Sequence, residues 1–175
     1  QYRPWDPYQG NYVLETSASG RTGLAEVAGV FHHESRHLGD RPKDFAVAWN
    51  SVGVRLLKRV RIGSGGVDLR ASAAKVIQTS WVDYAWTADL DLLMRRPINE
   101  RVGLFARAFG QAFGVDGTRP GRDMQTGGRG EFGVRVNGKA GAMELFVAAE
   151  RRPDADQLDF VTQQWVLAGL RLVAR

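Results

Sequence analysis

Hydrophobic and polar residues alternate along much of this chain, most clearly in VDYAWTADLDLLM, Val82 to Met94. Val82, Tyr84, Trp86, Ala88, Leu90, Leu92 and Met94 form one set; Asp83, Ala85, Thr87, Asp89, Asp91 and Leu93 form the other. A helix would scatter the carboxylates around the apolar set, whereas a strand places them on one face. The same two-residue period returns in GEFGVRVN, in AMELFVAAE and over the last ten residues of the chain. Asn137-Gly138-Lys139 lies between the first two of these, and Asn-Gly is a strong hairpin signal.

Extended over the whole chain, the pattern predicts nine strands, at about 11–19, 23–34, 44–58, 66–78, 82–94, 102–113, 127–137, 140–151 and 163–175. GSGG and RRPINE read as short breaks, and Asp116–Gly128 and Arg151–Asp159 as longer surface loops. Repeated up-and-down strands with few helices imply one antiparallel sheet, expected to be closed. Either face of such a sheet can point outward. A barrel in water keeps its apolar face inside, whereas an outer-membrane barrel turns it toward lipid around a polar lumen.

The membrane solution is favoured by strand length, by the small and mixed-charge residues of the opposite face, and by Trp81, Tyr84, Trp86 and Trp165 near strand ends. The expected fold is therefore all-β: an antiparallel up-and-down transmembrane β-barrel filling residues 1–175 as a single domain. Bacterial single-chain barrels have even strand numbers. The expectation is accordingly about 8–12 strands, with two merged in the reading or an N-terminal portion missing.

Composition narrows the classes. Hydrophobic residues make up 43% of the 175, which suits a packed domain and not general disorder. The formal charge of +5 is spread along the chain without a Lys/Arg block, so no nucleic-acid partner is expected. The absence of cysteine removes disulfides, thiol catalysis and thiolate metal sites. No apolar run reaches the length of about 18 residues that a membrane helix needs, and no signal peptide is visible in the opening QYRPWDPYQG.

Candidate chemistry is concentrated in FHHESRHLGD, Phe31 to Asp40, which holds all three histidines. On a strand His33, Ser35 and His37 share one face, and His32, Glu34 and Arg36 the other. In an esterase-like site, Ser35 would attack an acyl carbonyl and His33 or His37 would take its proton. Asp40 or Glu34 would orient the imidazole, and Arg36 would help to stabilise the oxyanion. The competing reading is a polar rim with a hydrogen-bonded turn at LGDRP. His33 to His37 also spells HExxH, but that motif needs a helix to bring its histidines together. On a strand they lie too far apart for one zinc, so neither metal nor other cofactor is expected.

His33-x-Ser35-x-His37-Leu38-Gly39-Asp40 resembles the H-x-S-S-H-L-G-D signature of a poorly characterised group of Gram-negative outer-membrane barrel proteins; Arg36 stands here at the second serine. That resemblance covers about ten residues and implies an outer-membrane location without an assigned activity. A looser likeness to outer-membrane lipid hydrolases implies acyl esters of phospholipid or lipopolysaccharide as a substrate class.

The expected function is thus an outer-membrane barrel acting as a structural body, an accessory part of an envelope assembly or a narrow channel. Its expected partners are outer-membrane lipids and envelope proteins. Two alternatives stand beside it: a membrane-embedded acyl-ester hydrolase and a soluble periplasmic lipid-binding barrel. Whether the chain is an enzyme is left open by its residues.

Overall fold

The computed structural model describes residues 10–37, 45–156 and 160–174. Nine antiparallel strands follow one another in chain order: β1 Gly10–Arg21, β2 Glu26–His37, β3 Val47–Ile62, β4 Gly65–Ser80, β5 Tyr84–Pro97, β6 Val102–Val115, β7 Gln125–Asn137, β8 Gly141–Asp156 and β9 Val161–Ala174. Each pairs with its sequence neighbours.

Four tight turns gather at one end of the sheet. Thr22 closes the first, its hydroxyl accepting from the amides of Leu24 and Ala25. Gly63, at φ 58°, takes the left-handed conformation that turns β3 into β4. Asn99 accepts from the amides of Arg101 and Val102 before β6, and Gly138 donates to the Gly141 carbonyl between β7 and β8. The β4–β5 and β6–β7 connections, 81–83 and 116–124, lie at the opposite end.

Register separates the two faces. Val54, Ala73, Ala88 and Ala112 lie side by side across four strands, and Phe132, Val147 and Ala168 across three more. This face is apolar and largely exposed. The other carries the charges, linked by cross-strand pairs such as Arg55–Glu15, Arg107–Asp91 and Arg135–Glu144. The buried apolar core is small and lies toward the loop end. Val47, Trp49, Val76, Val82 and Tyr84 pack with Phe45 and Phe113, and Trp49 meets Tyr84 edge to face at 5.3 Å.

The sheet is open. β1 pairs with β2 and β9 with β8, and no ladder joins β1 to β9 among the described residues. This overturns the expected transmembrane barrel, because hydrocarbon leaves no water to satisfy an unpaired strand edge. The outer-membrane location, outer-membrane lipids and envelope proteins as partners, the channel and envelope roles, and the membrane-embedded hydrolase are corrected with it. Alternation specified the two faces correctly, but closure depends on strand number, stagger and tilt, which alternation does not encode. A smaller correction concerns Arg151–Asp159: β8 runs on through Asp156 with its register broken between Arg152 and Asp156. Pro153 sits inside that irregularity, where a missing ladder donor is tolerated.

Candidate functional site

The histidine segment forms the second half of β2, between β1 and β3, and its period of two divides it between the faces. His33 aligns with Asn50, Ser35 with Ala48, and Glu34 with Trp49. His33 Nδ1 lies 2.6 Å from Asn50 Oδ1, and Asn50 Nδ2 donates to Gln78 at 2.7 Å. That chain assigns the His33 proton to Nδ1. His33 and Ser35 thus belong to the apolar side of the sheet, and Glu34 and Arg36 to the charged side. Asp40 and the His37 side chain, both named as candidates from the sequence, lie outside the described residues.

On the charged side the structure brings Glu34 and Arg36 together at 2.8 Å, with His32 beside them. His32 sits between two carboxylates, Nδ1 at 3.6 Å from Glu15 and Nε2 at 3.7 Å from Glu34. Glu34 raises the imidazole pKa above its ordinary value; partial burial opposes this, and Glu15 adds to it. Burial pushes the Glu34 carboxyl up, but His32 and Arg36 outweigh it and hold it below its usual range. Glu15 is lowered chiefly by Arg55, which grips it with two bonds of 2.7 Å.

A second cluster ties distant strands at the loop end. Arg122 donates to Asp83 at 2.8 and 3.1 Å and to Asp154 at 3.1 and 2.8 Å. Tyr84 on β5 donates its hydroxyl to Asp154 on β8 at 2.8 Å, and Arg36 on β2 approaches the Asp154 carbonyl at 3.5 Å. Contacts between strands so far apart in the order require the sheet to bend here, even though no ladder joins β1 to β9 among the described residues. Burial disfavours the Arg122 charge, yet Asp154 and Asp83 outweigh it and raise its pKa.

Arg36 also stacks over Trp49, 5.2 Å from the ring centre, and Arg119 lies between Trp81 and Phe160 at 4.7 and 4.2 Å. Sequence reasoning named Arg36 and noted Asp83, but missed Arg122 and Asp154. Both were read as loop residues, and only the bend brings them to Tyr84.

The apolar side holds a groove at the hairpin end. Its volume is about 480 Å³, and Ile62, Val67, Met94, Leu104 and Phe132 form its apolar lining. Ile62, Met94 and Phe132 are 63%, 47% and 56% exposed, unusual for side chains of this size in one patch. Arg95 and Arg96 border it. Arg95 is held by Asp68 at 2.6 Å, whereas Arg96 has no ion pair among the described residues. Lys58, Arg61, Arg101 and Lys139 nearby are also exposed and without a carboxylate partner among the described residues, so this end is basic despite Glu100 in the same turn as Arg101.

Neither a protein-family model, nor a curated protein, nor a solved structure matches the chain. The resemblance to the outer-membrane barrel group is therefore left with its short motif alone, on a sheet that does not close. No group of three or more metal-ligating side chains is placed to hold an ion among the described residues.

Proposed function

We propose that this chain is a binding domain whose apolar sheet face takes up a small anionic amphiphile, with the acyl-like body in the hairpin-end groove and the head group against Arg96. One observation carries this: an exposed apolar groove opens beside a cation that has no carboxylate of its own among the described residues. Burying Ile62, Met94 and Phe132 against a hydrocarbon chain removes apolar surface from water, at about 25 cal/mol per Å². The basic end then sets the preferred sign of the head group. This keeps the lipid-binding alternative and drops its closed barrel, placing the ligand on a sheet face and not in a lumen.

The test compares dodecanoate with dodecyltrimethylammonium, which share chain length and differ in head charge, by displacement of a fluorescent apolar probe. Dodecanoate is expected to bind more tightly. Arg96→Glu should erase that preference, and Phe132→Ser should weaken both ligands. Equal affinity for the two, or no saturable displacement by either, would sink the proposal.

A further inference from the structure

Edge strand β1 meets its neighbour, on the charged side of the sheet, through a residue pair whose attraction depends on a proton. Glu15 of β1 stands directly opposite His32 of β2, and Glu34 shares the His32 face two residues further on. The imidazole therefore lies between carboxylates from two strands, with Nδ1 at 3.6 Å from Glu15 and Nε2 at 3.7 Å from Glu34. Ser19 and Arg21 of β1 also reach a carboxylate, but that is Glu26 beside the turn. Glu15, His32 and Glu34 all line a cavity of about 270 Å³ on the charged face, so β1 supplies part of its wall.

Both ring nitrogens face an anion, and this decides which protonation state the geometry suits. A neutral imidazole has one N–H and one lone pair, so it can present a donor to one carboxylate and only a lone pair to the other. The imidazolium presents an N–H to both. Arg55 of β3 reaches past β2 to grip Glu15, and Arg36 grips Glu34, which keeps both carboxylates ionised. Ser51, opposite His32 on β3, is neutral. Across the cavity lie Arg70 of β4 and Asp89 of β5, 3.8 Å apart. The raised pKa of His32, caused chiefly by Glu34, agrees with this arrangement.

We infer that His32 is a pH-dependent clasp, holding edge strand β1 against β2 as an imidazolium and loosening it on losing a proton. While the clasp is closed, Arg55, Glu15, His32 and Glu34 form one alternating row of charge over β1, β2 and β3. Deprotonation leaves Glu15 to Arg55 and turns one of the two imidazole contacts repulsive. β1 is the strand that feels this most, because it has a ladder on one side only among the described residues. Since folding raises the imidazole pKa, the stabilisation is complete below about 6.5 and is lost as pH rises through the folded value. Toward acid it persists until Glu15 and Glu34, both held below the usual carboxylate range, take up protons. β1 is thus held most firmly in mildly acidic solution, and the cavity wall it supplies loosens as the solution turns alkaline. The clasp is independent of the amphiphile site, whose groove takes no residue from β1 or β2.

The experiment is native-state hydrogen exchange of the whole chain on either side of the transition, at about pH 6 and about pH 8.5. Each rate is corrected for the intrinsic rate of its residue and compared with the amides of β5. The β1 amides bonded to β2 are expected to open about two- to fivefold more readily at the higher pH, the range that partly exposed ion pairs contribute. The β5 amides should stay level. His32→Gln has no proton to lose in this interval and should abolish the difference, whereas His33→Gln, on the other face, should preserve it. Glu15→Gln should lower the His32 titration midpoint, read from the ring nitrogen chemical shifts, and weaken the pH dependence of β1. Four results would each overturn the clasp: β1 and β5 changing in parallel, His32→Gln keeping the difference, a His32 midpoint at or below about 6.5, or a β1 effect that vanishes on dilution and so belongs to pairing between copies.

Discussion

Arg122 stands between two carboxylates that water scarcely reaches, since Asp83 is 1% exposed and Asp154 0%. Isolated, either carboxylate would be very costly to bury as an anion. The guanidinium resolves this by its shape, presenting one edge to each aspartate across four bonds. Asp154 also adopts a left-handed backbone at φ 47°, which its bonds to Tyr84 and Arg122 oblige it to hold. Replacing Arg122 by Met keeps an unbranched stem and removes the guanidinium, leaving two buried carboxylates facing each other. The variant is expected to lose about 3–5 kcal/mol of folding free energy, measured as a lower urea midpoint. Arg122→Lys should recover only part of that loss, because a single ammonium cannot serve both carboxylates in two-bond geometry. A midpoint unchanged in Arg122→Met would mean that the cluster does not hold the loop end together.

Individual strands depend on close approach as much as on alternation. Gly133 in β7 lies under the Phe105 ring of β6 and against the Leu145 carbonyl of β8, and a Cβ there would collide with both. Phe105 is 2% exposed and its ring has little room to move aside. Gly133→Ala should therefore cost about 1–3 kcal/mol as overpacking, seen as a lower thermal midpoint. The exposed Gly130 on the same strand, where a Cβ meets nothing, should accept Ala without that loss.

These contacts mark how far the sequence was legible. GEFGVRVN announced a strand through Phe132, Val134 and Val136, and Asn137-Gly138 announced its turn, because both signals are local. Glu34 and Arg36 could be placed on one face from their spacing alone, and the structure joins them at 2.8 Å. That His33 would bond Asn50, and not a neighbour in its own segment, depended on the β2–β3 register. The Asp154–Tyr84 bond spans 70 residues and exists only because the sheet bends. The apolar face was read as lipid-facing for a comparable reason: the pattern of Val52, Val54 and Leu56 states that these side chains share a side, without stating what covers it.

For the molecule as a whole, the open edges decide behaviour. β1 is exposed along all twelve residues, and its sequence GNYVLETSASGR contains neither lysine nor proline. Its pairing with β2 has no register shift to twist the edge away. Sheet proteins ordinarily blunt such an edge with one of these devices. Past Asn11 and Tyr12, only the inward-facing Glu15 serves that purpose on β1. At the other side β9 presents Val166, Leu170 and Leu172, which are 86%, 59% and 77% exposed, and its outer ladder has no partner strand among the described residues. Two edge strands without an outer ladder among the described residues, joined by one apolar face, favour pairing between copies of the chain. Concentration-dependent association is therefore expected, and sedimentation velocity measures it. Leu14, 60% exposed on β1, is the place to interrupt such pairing. Leu14→Lys puts a charge into the incoming strand's path while disturbing no buried contact, so it should lower the association without lowering the unfolding midpoint. If the variant sediments as the parent chain does, β1 is not the contact, and the exposed face of β9 becomes the next surface to charge.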